Sequence, residues 1–173
     1  MEACIGLGSN LGDRAGWLAW AVEAISGVWG APLDRSSVWE TAAWGMAPGT
    51  PAFLNQVVRW EVDGPGGEAG VRAAMEVLAE VERRAGRERR ADGGYQDRTL
   101  DCDLLLWGAE RWTLPELVVP HPRMTQRRFV LAPLAELVPD RPVPGDGRTV
   151  AACLALCPDP QPVLPWKPTN LPA

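Results

Sequence analysis

The 173 residues, 46% hydrophobic and 23% charged, describe one ordinary globular domain with a core large enough to fold alone. No apolar run approaches the ~20 residues that span a bilayer. The amino end, Met1-Glu2-Ala3-Cys4, has no basic patch leading into an apolar stretch, so the expectation is a cytoplasmic chain without a signal peptide or a membrane partner. A net charge of −5 counts against general nucleic-acid binding. Cys4, Cys102, Cys153 and Cys157 read as small buried hydrophobes rather than disulfides or a zinc site, because a reducing compartment disfavours the first and His121 is the only histidine for the second.

In chain order, Ala3 to Leu7 is expected to form a short buried strand opening into a turn at Gly8-Ser9-Asn10. Leu18, Ala21, Val22, Ile25 and Trp29 then build one face of a helix, with Asp13 as its cap and Gly30 as its stop. Ser36 to Thr41 is a second strand, and residues 42 to 51 a loop rich in Gly, Pro and Thr. Phe53 to Val62 alternates as a third strand, with Leu54, Val58, Trp60 and Val62 on one face and Phe53 and Asn55 on the other. After the break at Gly64 to Gly67, a second helix is patterned by Val71, Ala74, Met75, Leu78, Val81 and Ala85 and ends at Gly86.

Residues 87 to 97 are charged, contain Gly and lack an apolar period, the pattern of a mobile loop. Thr99 to Trp107 is a strongly apolar strand that Gly108 to Glu110 turns into a hairpin. Pro120-His121-Pro122 is a rigid loop, a helix carries Phe129, Val130 and Leu134, and a last short helix covers Val150 to Leu156. Six prolines between Pro158 and Pro172 make residues 158–173 an extended tail, strapped to the surface or disordered, on a domain of residues 1–157. Strands and helices intermix without regular βαβ alternation. The expected fold is therefore α+β, a single domain with a largely antiparallel central sheet and helices on both faces.

Asp101-Cys102-Asp103 is the sharpest chemical signal. Residues two apart on a strand point the same way, so both carboxylates project together with Cα atoms ~6.5 Å apart. Two hard oxygen ligands on an otherwise apolar strand suit magnesium with phosphate oxygens completing the shell; the alternative is an exposed strand face. Phe53 and Phe129 are the chain's two phenylalanines, placed either in the core or as faces for a flat ring whose edge Asn55 could read as donor and acceptor. Arg83, Arg84, Arg87, Arg89 and Arg90 crowd one stretch, as either a solvated helix end or the counter-charge of a confined anion. His121, followed by Arg123, Arg127 and Arg128, is either structural or an anion contact.

These segments together resemble the 6-hydroxymethyl-7,8-dihydropterin pyrophosphokinase family of folate synthesis. The likeness runs from Ile5 to about Asp140. It is carried by Ile5-Gly-Leu-Gly-Ser-Asn-Leu-Gly-Asp13, by Trp39-Glu-Thr41 and by Phe53-Leu-Asn-Gln-Val-Val58. Glu82, Gly86-Arg-Glu-Arg89, Arg98-Thr-Leu-Asp-Cys-Asp103, Pro120-His-Pro-Arg-Met124 and Arg127-Arg-Phe-Val-Leu131 complete it, in the family's order.

The resemblance implies an αβα sandwich related to the ferredoxin-like fold. It implies a pterin stacked between Phe53 and Phe129 and read by Gly8, Thr41 and Asn55, with Tyr95 closing over it. It gives Asp101 and Asp103 two Mg2+ ions that grip ATP, Arg87 and Arg98 the transferring diphosphate, and Arg89, Arg90, His121 and Arg127 the nucleotide. The implied reaction moves diphosphate from ATP to the pterin hydroxymethyl group and releases AMP, with association with the next folate enzyme as a possible partnership. A relative that binds pterin or nucleotide without turnover is the alternative. Ala42-Ala43, Tyr95, Asp97 and Glu116 depart from the family's commoner residues.

Overall fold

The computed structural model of the chain describes residues 1–43, 45–46, 49–87 and 97–168. Its elements in order are β1 (Glu2–Ser9), α1 (Arg14–Trp29), β2 (Asp34–Arg35), β3 (Trp39–Thr41), β4 (Phe53–Glu61), α2 (Gly67–Arg84) and β5 (Asp101–Trp107). There follow β6 (Trp112–Leu114), β7 (Leu117–Val119), a 3-10 turn at Met124–Gln126, α3 (Arg128–Leu137), α4 (Val150–Ala155) and β8 (Leu164–Pro165). The main sheet runs β5-β1-β4-β3-β8 with β2 also on β4, and every pairing is antiparallel. None of the described helices is long and apolar enough to cross a membrane.

Both sheet faces are covered, as the α+β expectation requires. Ala3, Ile5 and Leu7 of β1 join Leu54, Val58 and Trp60 of β4 and the apolar stripes of α1 and α2 in one core. Cys4, Val57, Leu105 and Leu106 meet Val130, Leu131, Leu134, Val150 and Cys153 of α3 and α4 in a second. A bulge in β5 opposite Cys4 and Ile5 lets Leu105 and Leu106 both enter this second core, while Trp107 returns to the first. Helix α1 starts and stops as expected: the Asp13 carboxylate accepts from the Gly16 N–H at 3.0 Å, and Gly30 follows at φ 82°.

Four sequence expectations need correction. β1 does not turn at Gly8 but continues through Ser9, because Gly8 and Ser9 are paired on β4 and Gly8 also on β5. Of the strand expected over Ser36 to Thr41 only Trp39 to Thr41 forms, as β3, while the short β2 ends at Arg35. The Ser36 hydroxyl accepts from the Val57 N–H at 2.9 Å, taking a ladder position that a backbone carbonyl would hold. The strand expected from Thr99 begins at Asp101, the Thr99 hydroxyl instead donating to the Ala85 carbonyl. The hairpin after Gly108 does not fold back on β5; β6 turns at Pro115-Glu116 to pair with β7 in a separate two-stranded sheet.

The proline-rich segment is strapped to the sheet through Leu164 to Trp166. Leu164 and Pro165 pair with Glu40 and Trp39, and Trp166 donates to the Val38 carbonyl at 2.9 Å. The buried Asp159 carboxylate caps the start of α3 by accepting from the Arg128 N–H at 3.2 Å.

Candidate active site

Period-2 alternation and strand register gather the expected residues on one sheet face. Gly8 lies opposite Asn55 of β4 on one side and Asp101 of β5 on the other. One step along, Gly6 lies between Val57 and Asp103. Two rows therefore cross the sheet, Asn55–Gly8–Asp101 and Val57–Gly6–Asp103. With strands ~4.8 Å apart, the amide and the carboxylate of the first row stand about 10 Å from each other. The middle of each row is bare backbone. A Cβ at Gly8 would meet Asn55 Oδ1 at 3.5 Å, Asp101 Cβ at 3.7 Å and Phe53 Cδ1 at 3.8 Å.

The resulting cleft is walled by Thr41, Phe53 and Asn55 at one end, by Arg98, Asp101 and Asp103 at the other, and by Arg127, Phe129 and Val130 at the start of α3. Asn55 is buried, and its Nδ2 donates to the Thr41 hydroxyl at 2.9 Å. That bond orients the amide so that its carbonyl oxygen, the atom beside Gly8, is presented as an acceptor.

At the carboxylate end, Arg98 reaches Asp101 Oδ2 at 2.8 Å, and Arg87 bonds both Asp101 and the buried Glu82. Burial would lower the Arg87 pKa, but the Asp101 and Glu82 carboxylates outweigh it and raise it. Arg127 stands 3.9 Å from Asp103. Both phenyl rings carry a guanidinium, Arg98 at 5.2 Å from the Phe53 centroid and Arg127 at 5.6 Å from that of Phe129. Asp103 keeps a third of its side chain open to the cleft while protein packs around the rest. Burial, then the Asp101 charge, pushes its carboxyl up to about 7.

His121 does not line this cleft. It lines a second depression with Trp112, Val118 and Thr125, and its Nε2 stands 3.9 Å from Asp103. Its backbone N–H donates to the Leu105 carbonyl at 3.1 Å, which ties the Pro120-His121-Pro122 loop to β5. Burial, helped by Arg127 and Arg123, lowers its pKa to about 4, so the imidazole is neutral at pH 7. Nδ1 accepts from the Arg123 N–H at 3.2 Å, which leaves the ring proton on Nε2, facing the carboxylates as a donor. Arg89, Arg90 and Tyr95 lie outside the described residues.

Sequence reading assigns no role to Gly6, Asn10 or Glu82. Glu82 had a signal: it continues the apolar stripe of Leu78 and Val81 on α2, where a carboxylate is out of place. It accepts from the Cys102 N–H at 2.8 Å, so it holds the peptide between the two aspartates as well as Arg87. Removing the shared guanidinium leaves buried negative charge poorly compensated. Arg87→Ala should therefore destabilise the fold by about 3 kcal/mol, on the order of 6–12 °C in melting temperature. Thermal denaturation followed by circular dichroism measures it, and a shift below about 2 °C would deny Arg87 this role.

A cleft that sets phenyl rings and an oriented amide beside paired carboxylates and guanidinium groups is the layout of a small-molecule enzyme site. Residues 4–139 match the family model described as 7,8-dihydro-6-hydroxymethylpterin-pyrophosphokinase. A 2-amino-4-hydroxy-6-hydroxymethyldihydropteridine pyrophosphokinase of Porphyromonas gingivalis is 38% identical over 137 residues, 78% of this chain and 89% of that protein. The mitochondrial folate synthesis bifunctional protein of Arabidopsis thaliana is 35% identical over 79% of this chain and 23% of its own length. A crystal structure of Plasmodium falciparum HPPK-DHPS superposes with a TM-score of 0.67 at 13% identity, covering 90% of this chain and 44% of that one. This chain thus spans under half of those two-activity proteins. It belongs to the 7,8-dihydro-6-hydroxymethylpterin-pyrophosphokinase family.

Proposed function

We propose that this cleft transfers diphosphate from ATP to the hydroxymethyl group of 6-hydroxymethyl-7,8-dihydropterin, giving the pterin diphosphate and AMP in folate synthesis. The observation that carries it is the row Asn55–Gly8–Asp101, which sets a ring-reading acceptor and a phosphate-side carboxylate on one rigid sheet face. Phe53 and Phe129 supply aromatic faces for the pterin. The Asn55 carbonyl oxygen, held by Thr41, accepts an N–H from the ring edge.

Asp101 and Asp103 fit magnesium. Among the described residues no group of three or more metal-ligating side chains exists, and magnesium on a nucleotide needs only one or two carboxylates plus phosphate oxygens. Bound there, it neutralises phosphate charge and makes the pterin hydroxyl more acidic. Arg87 and Arg98, both already at Asp101, steady the transferring diphosphate, with Arg89 and Arg90 assigned to the same polyphosphate. Arg127 and the neutral His121, through its Nε2 proton, hold nucleotide phosphate oxygens. Tyr95 covers the pterin. The fusion of a related unit in the Arabidopsis and Plasmodium proteins supports association with a second enzyme of folate synthesis.

An AMP-release assay tests the reaction, with ATP, magnesium and the hydroxymethyldihydropterin each omitted in turn. AMP is expected only when all three are present, together with a diphosphorylated pterin. Saturable pterin or ATP binding without AMP would replace catalysis with a binding function.

A further inference from the structure

The chain leaving β1 and the chain entering β5 are clasped at the point where the ring slot meets the carboxylates. Asn10, 3% exposed, follows β1 directly. Its backbone N–H donates to the Arg98 carbonyl at 3.1 Å, and its side-chain oxygen accepts from the Arg98 N–H at 2.8 Å. The Asn10 amide nitrogen donates to Asp97 Oδ1 at 2.7 Å and to the Pro51 carbonyl at 3.3 Å. One side chain thus ties together β1, the segment leading into Phe53 and the segment leading into Asp101. The Arg98 backbone is held through both its N–H and its C=O, and its guanidinium then reaches Asp101 and the Phe53 ring.

We propose that Asn10 and Asp97 are positioning residues for Arg98, Asp97 acting by anchoring the amide nitrogen of the Asn10 side chain whose oxygen holds the Arg98 N–H. The proposal rests on the assignment of Arg98 to the transferring diphosphate. The Asp97 Oδ1 acceptor takes the amide nitrogen at 2.7 Å and leaves the Asn10 oxygen for the Arg98 N–H. Without Asp97 the amide nitrogen keeps the longer bond to the Pro51 carbonyl but loses the 2.7 Å one, and the base of the Arg98 side chain loosens. Asp97 itself is exposed and lies outside the lining of the cleft.

The experiment is a double-mutant cycle on kcat with Asp97→Ala, Arg98→Ala and their combination, with Asp97→Asn as the conservative variant and a melting curve for each. Asp97→Ala is expected to lower kcat about tenfold, since displacements near 1 Å in a positioning group cost up to about 100-fold. KM for ATP and for the pterin should stay within about twofold, and Asp97→Asn, which keeps an acceptor oxygen, should stay near wild type. In the Arg98→Ala background the same Asp97→Ala change should alter kcat by less than about twofold, because the group it positions is gone. Equal losses in both backgrounds, or none in either, would overturn the clasp while leaving the Arg98 assignment standing. Wild-type turnover in Arg98→Ala would overturn both.

Discussion

Asp101→Asn and Asp103→Asn should each lower turnover by about 10³-fold or more while the protein still folds, the scale expected when charge stabilisation of a transition state is removed. Both side chains line the cleft and belong to neither apolar core, whereas Cys102, Leu104 and Trp107 pack in the first. Asp103→Asn carries a second, opposite expectation for stability. With its pKa raised from the ordinary 3.8 to about 7 by burial and by Asp101, the folded protein binds more protons at this site than the unfolded chain between those values. Metal-free stability contributed by this group therefore falls as pH rises from about 4 to 7 and stays low above it. Asp103→Asn removes that penalty. Its metal-free form should melt about 2–4 °C above wild type at pH 8, for about 1 kcal/mol, with the difference vanishing near pH 4. Magnesium with a nucleotide should raise the melting temperature of wild type and leave that of the variant unchanged. Normal turnover in either variant would remove the metal assignment. A variant that melts lower than wild type at pH 8 would remove the electrostatic one.

Gly8→Val should weaken pterin binding by about 100-fold, about 2.7 kcal/mol, with the fold intact. The first carbon of a new side chain has room, since its contacts with Asn55, Asp101 and Phe53 lie at ordinary van der Waals distances of 3.5–3.8 Å. The further carbons of valine would enter the cleft that Gly8 lines. Gly8→Ala should accordingly fold and bind more weakly than wild type, but less severely than Gly8→Val. Fluorescence titration with 6-hydroxymethyl-7,8-dihydropterin, paired with a melting curve, separates loss of binding from misfolding. A valine variant with wild-type affinity would place the ring elsewhere.

Much of the site is legible along the chain because its parts obey local rules. Asp101 and Asp103 share a strand face by pleat alone, and so do Phe53 and Asn55. The helices announced themselves through apolar stripes with Asp13 and glycine at their ends, and the arrangement of sheet and helices followed from the order of the elements. The late start of β3 at Trp39 is not legible because a serine hydroxyl standing in for a carbonyl depends on a partner strand 21 residues away. The hairpin beyond Gly108 was misplaced for a related reason: which strand β6 pairs with is decided by register, and turn residues do not encode it.

The sequence by itself determined the family, through the order of its motifs, and which side chains share a strand face, Asp101 with Asp103 and Phe53 with Asn55, since pleat alone fixes that. Only the tertiary structure decided the distance from the Asn55 amide to the Asp101 carboxylate. That distance is two strand spacings across β1, and it exists because antiparallel pairing sets Gly8 opposite both Asn55 and Asp101. It also decided which arginine serves which carboxylate, that Glu82 is buried beneath Arg87, and that His121 faces Asp103 as a neutral donor. Burial and the charges of residues remote in sequence set these properties, and neither is a function of local order along the chain.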